Sequence, residues 1–296
     1  MLNAQLAMLA SIFCFSLAGY FSSLLAVQVL AFAMVIRFAI PTLVSLATIR
    51  EVSSLLKNKP SMLFLCFVRG AVIFLSQYLL YITINKIGLA SGLILYNFGP
   101  IFLIMLFTLL GNKLKVHYIV LIAFSFIGGL VFFKFDLKLD DVGIILGISA
   151  ALFYATSQYI NANMAKDGSD PKLIILLVNL SGTVISALYL SLVIKPELSF
   201  HSFEISSCLV IIAMGLATYG NQYLRIISFK MVKNPNTVIY LTYFGLPFSL
   251  FFMFLNGEFI EFNHVLGSII ILSGGIGQFY LHCRITNEPQ HAAAAC

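Results

Sequence analysis

Apolar residues occupy this chain in long blocks separated by short polar or charged stretches, which recur about as often as spans of roughly 20 apolar residues would require. The pattern predicts helices near residues 5–24, 31–48, 62–84, 89–110 and 117–133, then near 142–164, 173–194, 205–228, 236–255 and 264–282. Pro60, Pro171, Pro196 and Pro235 sit at or just before predicted starts, where a missing amide proton costs little. The expected fold class is an all-α integral membrane protein of ten transmembrane helices. Few residues remain for a soluble domain.

The second five helices repeat features of the first. A shift of 145 residues places Gly70 on Gly215, Gln77 on Gln222, Tyr78 on Tyr223, Leu79 on Leu224 and Ile82 on Ile227. At 147, Tyr96 falls on Tyr243 and Pro100 on Pro247; at 146, Gly128 and Gly129 fall on Gly274 and Gly275. The expected units are residues 1–139 and 140–284, with 285–296 as a polar tail outside the fold. Because each unit holds an odd number of helices, the second would enter the membrane from the opposite side, as two inverted five-helix repeats. Loop charge gives the orientation. With the N-terminus inside, Arg50, Lys57, Lys59, Lys113, Lys115, Lys166, Lys172, Lys230, Lys233 and Arg284 are cytoplasmic, against Lys86, Lys134, Lys138 and Lys195 outside. Basic residues favour the cytoplasmic side, so both termini are expected there, at a cell inner (plasma) membrane.

Composition agrees: 60% of the 296 residues are apolar and 9% charged, a balance that no soluble domain of this size needs. The net charge of +6 follows from topology and anionic lipid, and implies no nucleic-acid partner. Arg37 is the first basic residue, so no cleaved secretory signal is expected. Cys14, Cys66, Cys208, Cys283 and Cys296 lack metal-ligand spacing, and neither a disulfide framework, a metal site nor a cofactor is implied.

Tyr96, Asn97 and Pro100 followed by Gly111, and Tyr243 and Pro247 followed by Gly257 and Glu258, resemble the proline-containing fourth helix and Gly-Glu ending of EamA-type transporters in the drug/metabolite transporter superfamily. The resemblance covers nearly the whole chain. It departs at Asn112, where the family usually has Glu, and at Phe15 and Phe153, which stand where Trp is frequent. It implies a central cavity lined by helices 1–4 and 6–9, with helices 5 and 10 behind and available for a homodimer. An Arg at the position of Arg69 is also frequent in that family, which suggests a structural tie to helix ends.

Polar residues within apolar helices should face neighbours or a wet cavity. Ser16, Tyr20 and Ser23 share one helical face, as do Tyr154, Gln158 and Asn161; Thr218, Gln222 and Arg225; Asn236, Tyr240 and Tyr243; and, more briefly, Gln77 and Tyr81. With Tyr96, Asn97 and Asn221 these predict a hydrogen-bonding substrate site. The bland alternative is interhelical packing, which Ser and Thr commonly serve. Arg37 and Arg225 are expected to snorkel to the surface, and Arg69 is a candidate anion partner. All eleven acids fall in predicted loops, ends or the tail, so coupling through a membrane carboxylate is not expected. Most phenylalanines, Phe132 among them, are expected to face lipid. The expected function is a non-enzymatic secondary transporter of a small polar metabolite, an amino acid or derivative first. Nucleoside-like or S-adenosylmethionine-like compounds, or a membrane-embedded enzyme, are the alternatives. Against the enzyme, no paired acids, metal motif or Ser-His constellation appears at membrane depth.

Overall fold

The computed structural model describes residues 2–25, 27–49, 60–110, 116–132, 141–166, 170–194, 205–232, 236–257 and 259–293. Among the described residues the chain is all-helical, without a strand. Helices α1 (Leu2–Ser23), α2 (Val27–Thr48) and α3 (Pro60–Ile87) are followed by α4 in two pieces (Leu89–Tyr96 and Gly99–Leu109) and by α5 (Val116–Phe132). Then come α6 (Asp141–Lys166), α7 (Pro171–Tyr189, closing in a π turn, Leu190–Ile194) and α8 (Ile205–Lys230). Next, α9 has three pieces (Asn236–Ile239, a 3-10 stretch Tyr240–Phe244, and Gly245–Leu255), and α10 is Phe262–Ala293. Four helices, Leu2–Ser23, Ser61–Ile87, Val142–Lys166 and Pro171–Leu192, are long and apolar enough to cross a membrane.

Proline chemistry shapes these elements. Pro171 opens α7, and the Asp170 side chain caps it by accepting from the Lys172 amide at 2.9 Å. Pro100 and Pro247 offer no amide to the carbonyls four residues earlier, those of Tyr96 and Tyr243. Helix α4 breaks directly after Tyr96, and α9 is in its 3-10 stretch at Tyr243. Pro41 lies inside α2 and likewise leaves the carbonyl of Arg37 without its helical donor. The last helix runs on to Ala293, past the predicted end near 282 and through most of the expected separate tail. A polar helix needs no apolar pattern to extend where its own backbone bonds continue and alanine favours them.

The principal helix pairs are α1 with α8, α3 with α6, α2 with α7 and α5 with α10; α3 also packs on α7, and α2 on α8. The second piece of α4 lies on α6, and the last piece of α9 on α1. Small residues allow the closest approaches. A Cβ on Gly267 of α10 would lie 2.6 Å from the Gly128 carbonyl oxygen of α5, so these backbones touch where glycine removes the side chain. The exterior of the bundle carries large apolar side chains such as Phe64, Leu209 and Phe251, while Ser11, Gln77, Asn161 and Asn179 are buried inside. Phe132 departs from its predicted lipid-facing place. It is buried and its ring stacks on His264 at 4.4 Å, because α10 covers the side of α5 on which it falls.

Candidate functional site

The buried polar groups converge on a cavity between α1, α2, α3, α6 and α8. Helices α1 and α2 contribute Phe15, Arg37 and Phe38; α3 contributes Arg69, Ile73 and Gln77, one helical turn apart along a single face. Tyr154 and Gln158 enter from α6, and Thr218, Asn221 and Gln222 from α8. Apolar helices bring these side chains together because each has a polar face that is costly to present to an apolar exterior.

A second layer of contacts fixes the lining. The Gln77 amide donates to the Tyr96 hydroxyl at 2.6 Å, and Ser76 Oγ stands 3.2 Å from the same hydroxyl while donating to the Ala150 carbonyl at 2.9 Å. The Tyr96 ring packs against both Phe15 and Tyr154, at centroid distances of 5.3 and 4.7 Å, where the break in α4 leaves it. Gln222 and Asn179 of α7 form a reciprocal amide pair: Asn179 Nδ2 donates to Gln222 Oε1 at 2.8 Å, and Gln222 Nε2 to Asn179 Oδ1 at 3.1 Å. Ser11 Oγ donates to Asn221 Oδ1 at 2.9 Å and accepts from Arg225 Nε at 3.2 Å.

Three guanidinium groups are buried here: Arg37 is 4% exposed, and Arg69 and Arg225 are each 2% exposed. Arg37 and Arg225 do not reach the surface as expected. The Arg37 guanidinium donates to the Tyr81 hydroxyl and that of Arg225 to the Tyr154 hydroxyl, so tyrosines inside the bundle take the place of water. Among the described residues no Asp or Glu is buried with them. Hydrogen-bonding capacity is left over. Arg37 Nε, Arg69 Nε and Nη1, Gln77 Oε1 and Gln158 Oε1 are buried without a partner, as are Ser157 Oγ and both amide atoms of Asn161 on the same helix as Gln158. A buried polar atom left unmet costs on the order of 1–3 kcal/mol, more when charged, so this cluster is prepared for something other than protein.

The predicted site residues divide three ways. Gln77, Tyr154, Gln158, Asn221, Gln222 and Arg69 line the cavity, and Tyr81, Tyr96 and Arg225 hold lining residues from behind. Three lie elsewhere. Tyr20 is half-buried and stacks on Phe252 of α9 at 5.3 Å; Asn97 sits in the α4 break beside Gly245; and Tyr243 packs against Gly275 of α10. The side chain of Tyr240 falls outside the described residues. Among the described residues, helices α4, α7 and α9, implied as lining by the family resemblance, contribute none to the cavity wall; α4 and α7 support it through Tyr96 and Asn179. Arg37 and Asn179 were not anticipated as parts of the site. An arginine in the middle of an apolar segment was the available signal for the first, whereas nothing in the sequence pairs Asn179 with Gln222.

No family model matches the chain, and the search of curated proteins found no match. Among solved structures, the crystal structure of one protein superimposes over 95% of this chain and 98% of its own, with a TM-score of 0.69 and 16% sequence identity. At that identity the likeness establishes a shared fold across nearly the whole of both chains.

Proposed function

We propose that the chain is a secondary transporter in a lipid bilayer that moves a small polar metabolite, an amino acid or amino-acid derivative, by alternating access through the central cavity, and that it catalyses no reaction. The observation that carries this reading is a polar cavity with unmet hydrogen-bonding groups inside a helical bundle whose exterior is apolar. Such a site at the meeting of two structural halves is the arrangement on which alternating access operates. The resemblance to EamA-type transporters points the same way.

The helix pairing supports two inverted halves, residues 1–139 and 140–284. Exchanging every helix with the one five places away leaves the principal pairs unchanged: α1–α8 becomes α6–α3, while α2–α7 and α5–α10 map on themselves. Glycine contacts repeat as well. A Cβ on Gly129 would meet the Phe98 ring at 2.3 Å, and one on Gly275 the Tyr243 ring at 2.3 Å. These contacts align Phe98 with Tyr243, two residues away from the Tyr96 match suggested by sequence, because the broken helices unwind to different extents. In this reading the termini are cytoplasmic, the membrane is the inner one, and the rear pair α5–α10 offers a homodimer surface.

With no buried carboxylate among the described residues to carry a proton, exchange or facilitated diffusion is the mode. The test is counterflow of radiolabelled amino acids into proteoliposomes without a pH gradient, which should be saturable. Absence of any saturable flux across a metabolite panel would end the transporter reading. Strict dependence on an imposed proton gradient, with no exchange, would end the coupling argument.

A further inference from the structure

We propose that the cavity selects a substrate of net negative charge, an organic acid whose carboxylate or phosphate oxygens are taken by Arg69 and Arg37 and whose own N–H or O–H groups are taken by Gln77 and Gln158. The proposal rests on reading the cavity as the transported substrate's site, and narrows that reading from polar metabolites to anions.

Charge is the first argument. Arg37 and Arg69 both line the cavity and Arg225 is bonded to its Tyr154 wall, all three nearly fully buried, while no carboxylate is buried among the described residues. Buried charges in proteins are paired; cations buried around one cavity without an acid repel one another, and an anion entering between them relieves that repulsion. A cationic substrate meets the reverse condition, since nothing on the wall replaces the water its charge loses.

The unmet donors are the second argument. Arg37 and Arg225 each spend a nitrogen on a tyrosine hydroxyl, yet Arg37 Nε and Arg69 Nε and Nη1 remain without acceptors. Guanidinium N–H groups are matched to carboxylate and phosphate oxygens, and such charge-assisted bonds are about twice as strong as neutral ones. Tyrosine hydroxyls in this bundle accept one nitrogen each from Arg37 and Arg225, whereas Arg69 has no such hydroxyl and both its Nε and Nη1 lack an acceptor.

The ligand carries donors as well as charge. Gln77 Oε1 and Gln158 Oε1 are buried acceptors without donors on the same cavity wall. A bare inorganic anion in its fully ionised form gives them nothing. An acidic amino acid, a hydroxylated dicarboxylate or a sugar-like phosphate monoester brings N–H or O–H donors with its oxyanion.

A matched charge series on the purified full chain in lipid nanodiscs tests this, read by calorimetric titration and thermal unfolding. The anionic probes are L-glutamate, L-malate and glycerol 3-phosphate; their neutral partners are L-glutamine, L-malamide and glycerol; L-lysine is the cationic control. At least one anion should bind saturably and at least tenfold tighter than its neutral partner. Glutamate or malate binding would place the preference with carboxylates, and glycerol 3-phosphate with phosphates. Arg69→Gln should weaken that anion about ten- to a hundred-fold, with partial recovery in Arg69→Lys. Gln158→Glu, which adds a carboxylate to the wall, should weaken the anion at least tenfold even if Arg69→Gln does not fold. The proposal is overturned if no anion binds, if L-lysine or the neutral partners bind as tightly, or if folded Arg69→Gln retains wild-type affinity. Anion binding without flux in proteoliposomes would instead refute transport and leave the anion site standing. Flux of L-glutamine or L-lysine with no preference for anions would do the opposite.

Discussion

The reciprocal amide pair between Asn179 and Gln222 joins α7 to α8 directly behind the cavity, and it separates packing from binding. Asn179→Leu and Gln222→Met keep side-chain size nearly constant while removing the amides. Asn179 is fully buried and gives up three bonds: two to Gln222 and one from Nδ2 to the Ile175 carbonyl at 2.7 Å. The stranded partner after Asn179→Leu is the Gln222 amide, which faces the cavity and can meet water, so the loss should be near the low end of the ~1–3 kcal/mol for an unsatisfied buried group. Gln222→Met strands Asn179 Oδ1 where water cannot reach, while Nδ2 keeps the Ile175 carbonyl, and should cost more. When both amides are gone neither is left unpaired, so the double variant should lose about 1 kcal/mol less than the sum of the singles. Interhelical hydrogen bonds in membranes average about 0.6 kcal/mol in such cycles, and two reciprocal bonds justify the larger figure. The assay is reversible unfolding in mixed micelles for the four proteins, with ligand titration alongside. Additivity within about 0.3 kcal/mol would refute the pairing. If Gln222 also touches substrate, Gln222→Met should lower affinity further than Asn179→Leu does; equal effects would make it a packing residue.

Gly70→Ala should destabilise the bundle by about 1–3 kcal/mol, since overpacking carries that cost, and its Cβ would stand 1.7 Å from Ser181 Oγ and 2.7 Å from the Val178 carbonyl; an unchanged unfolding midpoint would contradict the α3–α7 packing. Tyr243→Ala should cost about 3–5 kcal/mol, as other large buried aromatics do, yet leave ligand affinity of the folded protein unchanged, because Tyr243 lies against Gly275 outside the cavity lining; titration of the variant decides between that and a direct contact. Cysteine labels near Lys57 and Lys115 should react only from the cytoplasm and labels near Lys138 only from outside, as the distribution of basic residues requires. The reverse accessibility would overturn the orientation.

The helices themselves were legible in the sequence, because a span is specified locally: its length, apolar content and proline punctuation lie in one contiguous stretch. That is why α1, α3, α6 and α8 appear where the pattern puts them, whereas α4 and α9, expected as continuous helices over 89–110 and 236–255, are interrupted near Pro100 and Pro247. The polar faces of α3, α6 and α8 were equally local, so Gln77, Tyr154, Gln158 and Gln222 could be nominated from spacing alone. Periodicity says that a side chain avoids lipid, but it cannot say which neighbour it meets. Tyr20 and Tyr243 satisfy the same pattern as Gln158 and pack on Phe252 and Gly275 instead. Phe132 obeys apolar logic and is covered by α10. Arg37 and Arg225 look from sequence like residues that must escape to the surface. Only the tertiary structure, by bringing Tyr81 of α3 and Tyr154 of α6 within reach, lets them stay inside, and only it reveals that Arg69 beside them has no such partner. Burial and partnership depend on where helices remote in sequence cross, which no single stretch of the chain specifies.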